Sequence, residues 1–358
     1  MRRAPYGPVA AAAGIVAVPV GIGLGLPYLR EVGLAPVTVA GLALLAAGLV
    51  LLGFAAVRAV RALPRGRAVV TLVGLALAVA VASLTLGQAV VAVQVPRAQL
   101  GSATPADRGL AHRDVWFRTA DGVRLSGWYV ASRNGAAVAL LHGAHSTRSA
   151  VLDQAVVLAG RGFGVLLFDA RGHGRSAGRG MEFGWYGDED VAGAVSFLVS
   201  QPDVRGGRVG VVGMSMGGEE AIGAAAADPR IRAVVAEGAT NRVAADKAWL
   251  SEAYGRRGDV QRGLEWLTYG ATDLLTRAGP PISLRRAVAA AAPRPFLLIA
   301  AGGRPDEGRA NRYVATGSPR TVQVWEVSGA SHTGGLRTRP VEWELRVTAF
   351  LAAALDVS

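Results

Sequence analysis

The residues best placed to do chemistry are a serine set between glycines and a single histidine downstream of it. Gly213-Met214-Ser215-Met216-Gly217-Gly218 follows a β-branched run at 208–212 and opens an alanine-rich helical run at 219–227. Ser215 therefore falls on a sharp strand-to-helix turn, which aims its Oγ outward. Such a turn holds the backbone in a strained conformation, and glycines two residues to either side keep side chains from colliding with the adjoining strand and helix. In a chain with 48 glycines the motif alone carries little weight, so it must be read with the groups that would serve it. A serine hydroxyl is a poor nucleophile until a base takes its proton. Of five histidines only His332 lies after Ser215, in the glycine-rich loop 328–335. An acid must then hold the imidazole in one tautomer and stabilise its charged form. Asp306, in the stretch 300–306 leaving the penultimate apolar run, is the favoured acid; its neighbour Glu307 and Glu237, at the end of the run 231–236, are the alternatives. An oxyanion formed on attack needs N–H donors. Met216 supplies one by following the serine, and Ala144, in the loop His142-Gly143-Ala144-His145, supplies the other. A metal pair of His142 and His145 is disfavoured, since no carboxylate or third histidine stands near them in sequence. His142 is expected to pack beneath the site, and no metal or organic cofactor is implied.

These residues require a scaffold, and the pattern from 114 onward provides one. Runs at 115–119 and 124–130 around Asp121-Gly122 read as an antiparallel pair at a sheet edge. Short apolar or β-branched runs follow at 137–141, 164–168, 208–212, 231–236, 295–300 and 321–327, with helical stretches at 149–159, 188–200, 219–227 and 341–355. That alternation predicts an α/β fold, a mostly parallel sheet covered on both faces by helices. Ligands in such sheets bind beyond the carboxyl ends of the strands, where Ser215 stands. The stretch 239–292 breaks the alternation and carries aromatics and leucines at roughly helical spacing.

The first hundred residues belong to another solvent. The 358-residue chain is 51% hydrophobic and only 18% charged, which is apolar for a water-soluble enzyme. The excess sits in three stretches without a charge, at 8–29, 36–57 and 68–95, each long enough to cross a bilayer as a helix. Pro19 and Pro27 are expected to kink or shorten the first. A linker at 98–113 leads to the α/β region at 114–358. The net charge of +12 is carried by arginines, Lys247 being the sole lysine, and these are scattered instead of interleaved with aromatics, so a nucleic-acid partner is not expected. With no cysteine, disulfides, thiolate nucleophiles and cysteine-based metal sites are excluded.

With His142-Gly143 after one strand, Asp169-Ala170-Arg171-Gly172-His173-Gly174-Arg175-Ser176 after the next, Gly213 to Gly217, the Asp306 stretch and the His332 loop in that order, the region from 114 to the end resembles the α/β-hydrolase superfamily. It is similar to membrane-anchored serine hydrolases of the dienelactone-hydrolase and monoacylglycerol-lipase kind. The resemblance implies an α/β-hydrolase fold with a cap insertion at about 239–292, a structural role for Asp169 and His173, and hydrolysis of an ester or thioester of an apolar acyl group through an acyl-serine. The substrate would be a small-molecule or lipid ester. Alternatives on the same residues are a serine peptidase or amidase, or an inactive membrane interaction protein built on the fold.

Topology follows from charge. Arg2 and Arg3 precede the first apolar stretch, Arg30 beside Glu31 follows it, and Arg58, Arg61, Arg65 and Arg67 stand between the second and third. The excess of arginine places the amino terminus and the second link in the cytoplasm, and three crossings carry the α/β region outside. Alkaline phosphatase fused after Gln99 is expected to be active outside the cytoplasm, and the same reporter fused within 63–67 to be inactive; an inactive fusion at Gln99, with the domain shielded from external protease, reverses the assignment.

Overall fold

A computed structural model describes residues 6–357. The chain divides into two compact units, Met1–Pro96 with Ala253–Arg277, and Arg97–Glu252 with Ala278–Ser358.

The first unit is helical. Helix α1 (Tyr6–Glu31) runs unbroken through Pro19 and Pro27, so the prolines do not shorten it, and α2 (Pro36–Ala62) begins with the proline whose missing N–H the first helical turn does not need. The two helices pack backbone to backbone through glycines: a Cβ on Gly41 would lie 2.4 Å from the Gly25 nitrogen, and one on Gly21 2.5 Å from the Leu45 nitrogen. Small residues at such crossings are how helices associate when lipid removes the hydrophobic drive between them. The third span starts earlier than its charge-free core, at Arg65, and is not one regular helix. It runs as α3 (Arg65–Ala82), a π-helical turn at Ser83–Gly87 and α4 (Gln88–Val93). The three spans of 26, 27 and 29 residues are each long and apolar enough to cross a membrane.

The second unit is a single eight-stranded sheet in the order β1-β2-β4-β3-β5-β6-β7-β8. The hairpin β1 (Arg113–Arg118) and β2 (Arg124–Val130) turns at Gly122, whose φ of 84° suits glycine. It adds antiparallel to β4 (Gly164–Phe168); every later pairing is parallel, through β3 (Ala137–Leu141), β5 (Val209–Met214), β6 (Ile231–Glu237), β7 (Phe296–Ala301) and β8 (Val322–Val327). The strands β3 to β5 and β7 are buried along their whole length, which is why they read as unbroken apolar runs, whereas the edge strand β8 exposes Gln323 and Glu326. Side chains sort by the period of two. Leu141, Phe168, Val211 and Ala236 pack under α6 (Gly187–Val199), α7 (Met216–Ala227) and α9 (Leu284–Ala291), while Val138, Leu140, Val212 and Ile299 pack under α5 (Leu152–Gly160) and α12 (Pro340–Leu355). The remaining helices are α8 (Trp249–Leu275), kinked at Gly255, α10 (Pro305–Ala315) and the short α11 (Gly335–Thr338).

After β3 the chain pairs first on one side, with β4, and then on the other, with β5. That reversal opens a crevice at the carboxyl ends of β3 and β5. The stretch 98–113 is not a free linker: Gly174 donates its N–H to the Ala98 carbonyl at 2.9 Å, and the Arg97 guanidinium donates to the carbonyls of Ser176 and Gly178.

At the β5–α7 turn a Cβ on Gly213 would lie 2.1 Å from the Gly217 oxygen, and one on Gly217 2.5 Å from the His142 oxygen. Gly213→Ala and Gly217→Ala are each expected to destabilise the chain by about 1–3 kcal/mol or more, read as a fall in Tm, whereas Gly270→Ala, inside α8 with open space around its position, should hold or raise Tm, since alanine favours a helix interior over glycine.

Candidate active site

Ser215 occupies the turn between β5 and α7 with φ 53° and ψ −121°, a conformation that costs a side-chain-bearing residue on the order of 1–3 kcal/mol. The turn is held from both sides. The Ser215 N–H donates to the Glu237 carbonyl at 2.7 Å, and the Ser215 carbonyl accepts from Gly218 and Glu219 at 2.9 and 3.1 Å. The hydroxyl that emerges meets His332: Ser215 Oγ and His332 Nε2 are 2.9 Å apart. His332 lies in the loop between β8 and α11, and the ring passes close over Gly238, where a Cβ would be 2.8 Å from His332 Cε1. Gly238 also has φ +73°, so position and conformation both call for glycine.

The other ring nitrogen meets Glu307 and not Asp306, which corrects the sequence expectation. His332 Nδ1 is 2.7 Å from Glu307 Oε1, and the second carboxylate oxygen of Glu307 accepts from the Ala301 N–H at 3.0 Å. Asp306 is not at the site; it is exposed and pairs with Arg309 at 3.0 Å. The reason is local. The stretch after β7 is not an open loop through 306, because Pro305 starts α10 and places both acids in its first turn. Successive helical residues diverge by about 100° around the axis, so when Glu307 faces the sheet Asp306 faces water. Ala310, Asn311 and Val314 lie three, four and seven positions beyond Glu307 and are buried with it. This periodicity, Ala310 and Val314 against Arg309 and Tyr313, was the signal in the sequence that separates the two acids.

Burial pushes the Glu307 carboxyl up, but the His332 hydrogen bond, the Ala301 N–H and the nearby charge of Arg304 outweigh it and hold the group below its usual range. Glu237, the other alternative acid, is engaged elsewhere: its carboxylate accepts from the Gly335 N–H at 2.7 Å and from Trp343 Nε1 at 2.9 Å. Burial raises its pKa, partly offset by those two donors. Glu237 thus ties the start of α11, just past the His332 loop, to α12, a role that sequence reading does not reach.

The loop after β3 approaches the serine from the other side. Gly143, next to Ala144 in the chain, is so near that a Cβ there would be 3.2 Å from Ser215 Cβ and 3.9 Å from its Oγ. Met216 opens α7, so its N–H has no acceptor within the helix. Beneath, His142 is buried; its Nδ1 lies 2.7 Å from the Gly143 carbonyl and its Nε2 accepts from the Ala170 N–H at 3.1 Å. Burial, with the neighbouring His173, pushes its pKa down to about 3, so it stays neutral. His145 pairs instead with Glu182, so the two histidines do not converge on one point. Asp169 accepts from the backbone N–H groups of Arg148 and Arg175 at 2.9 and 3.0 Å, fastening two loops.

Known proteins share this fold. Residues 132–277 match the family described as serine aminopeptidase, S33. An esterase of Pyrococcus furiosus superposes with a TM-score of 0.58 at 26% identity, covering 74% of this chain and 98% of that one. The chain carries an α/β-hydrolase domain. Two curated relatives align with this chain over shorter segments. An uncharacterized protein of Mycobacterium tuberculosis is 40% identical over 122 residues, 33% of this chain and 43% of its own length. A thiohydrolase of Aspergillus aculeatus is 37% identical over 128 residues, 35% of this chain and 40% of its own. The chain thus spans less than half the length of these relatives.

Because Glu307 and not Asp306 touches the imidazole, Glu307→Gln is expected to lower kcat for ester hydrolysis on the order of 10⁴-fold, with Asp306→Asn close to the parent. A larger loss in Asp306→Asn, measured side by side, would overturn the assignment.

Proposed function

We propose that the chain is a membrane-anchored serine hydrolase that cleaves carboxylic esters or thioesters of apolar acyl groups through an acyl-serine. The observation that carries this reading is the continuous relay from Ser215 Oγ through His332 to Glu307, at 2.9 and 2.7 Å, on a strained strand-to-helix turn. Ser215 Oγ attacks the substrate carbonyl while its proton passes to His332 Nε2; Glu307 fixes the tautomer in which Nδ1 carries a proton and favours the imidazolium that forms. The negative charge on the carbonyl oxygen is received by the N–H groups of Met216 and Ala144. The tetrahedral centre collapses, the bond to the leaving oxygen or sulfur breaks, and His332 returns the proton to that atom. Water then attacks the acyl-serine, giving up its proton to His332, and the acid is released as Ser215 regains its own.

An esterase among the structural neighbours and a thiohydrolase among the relatives support esters and thioesters as the substrate class. The family description names an aminopeptidase, which keeps peptide amides as the second reading, since the same relay cleaves them. The apolar spans support anchoring, with the amino terminus in the cytoplasm and the hydrolase domain outside, acting on a small-molecule or lipid ester and on no nucleic acid.

The full chain, purified in detergent, is expected to react with a fluorophosphonate probe and to turn over p-nitrophenyl esters, with longer acyl chains favoured; Ser215→Ala should abolish both while keeping its Tm. Labelling that survives in Ser215→Ala would refute the nucleophile, and turnover of peptide p-nitroanilides in place of esters would establish the peptidase reading.

A further inference from the structure

Helix α8 leaves its apolar stripe exposed. After the kink at Gly255 (φ 53°, ψ −134°), its sheltered face carries Thr268, Tyr269 and Thr272, all buried, Thr272 completely. The threonine hydroxyls are satisfied by their own helix: Thr268 Oγ1 donates to the Leu264 carbonyl at 3.0 Å and Thr272 Oγ1 to the Thr268 carbonyl at 2.9 Å. The outer face carries Val260, Leu267, Leu274 and Leu275, all exposed, with Leu274 88% exposed. At about 100° per residue, Val260, Leu264, Leu267, Ala271, Leu274 and Leu275 fall within one arc of roughly 100°. Trp266, 69% exposed, flanks it. A helix on a water-soluble surface turns its apolar stripe inward; this one leaves that stripe outside over four turns and buries two threonines and a tyrosine instead.

A medium that is apolar on the outside accounts for that arrangement, and the same chain supplies one. Ala253–Arg277 belongs to the compact unit that contains the three membrane-length helices. A helix with one apolar face, low overall hydrophobicity and an exposed tryptophan lies in the plane of the bilayer interface, with that face sunk to the headgroup and acyl boundary. We infer that α8 from Val260 to Leu275 is a bilayer-docking surface, whose occupant is a lipid monolayer and not a protein. Its charges do not select the lipid: Arg256, Arg257, Arg262 and Arg277 are balanced by Glu252, Asp259, Glu265 and Asp273. Docking is therefore apolar in origin, and neutral phosphatidylcholine suffices for it. The inference rests on the membrane-anchored part of the reading above and is independent of the hydrolytic part.

The absence of cysteine from the sequence makes the test direct. Single variants Leu267→Cys, Leu274→Cys and Asp273→Cys in the full chain are labelled with an environment-sensitive fluorophore and reconstituted into phosphatidylcholine vesicles with or without doxyl-labelled lipid. The labels at 267 and 274 are expected to lose most of their emission to the lipid-borne quencher and little to aqueous iodide, and the label at 273, on the exposed charged face, to do the opposite. Quenching of all three by iodide alone overturns the inference. So does shielding of 267 and 274 from both quenchers, which marks a protein partner. Alkaline carbonate extraction of the same vesicles reports separately on insertion of the three spans, so a chain that is not anchored is distinguished from an anchored chain whose helix does not dock.

Discussion

The architecture of the hydrolase domain depends on one backbone conformation, the positive φ of Ser215. A serine in that region is strained, and it persists only because the surroundings leave it no alternative. Its N–H is held by the carbonyl of Glu237 on the neighbouring strand, its carbonyl by the first turn of α7, and the glycines at 213 and 217 permit strand and helix to touch. Relaxing the turn would break those hydrogen bonds and withdraw the hydroxyl from His332. The parallel sheet and the helices on its two faces are, in this sense, the frame that keeps a strained residue where it is.

Around the turn, the polar groups divide into those that react in the proposed chemistry and those that hold others still. Glu307, buried in the first turn of α10, reaches His332 while the Ala301 N–H secures its other oxygen. His142 resembles a second base in type only, since both its nitrogens are committed to backbone groups and burial keeps it neutral. Asp169 likewise spends its carboxylate on two backbone N–H groups. Residue type thus says little here without partner and burial.

Much of this was legible in the residues alone. Strands covered on both faces must be apolar throughout, so β3 and β4 could be bounded to the residue, and the turn around Ser215 announced itself by its glycines. His332 was reachable because chain order left no other histidine. The acid was not, because Pro305 begins a helix within the stretch 300–306; the choice between adjacent carboxylates is then a question of helical phase, carried by Ala310 and Val314. Glu237 was out of reach for a different reason. Its partner Trp343 is 106 positions away, and no local pattern encodes that contact. The π-helical turn at Ser83–Gly87 has the same character, an irregularity inside a run whose composition is uniformly apolar.

Glu237 has one more consequence, which concerns motion. Its backbone carbonyl holds the nitrogen of Ser215, and its side chain holds Gly335 and Trp343, which bracket the segment following His332. One residue at the end of β6 is thus pinned both to the turn that carries Ser215 and to the segment that follows His332. A shift of that strand end would move both together, so a change at Glu237 reaches either side of the gap between Oγ and Nε2 without touching it.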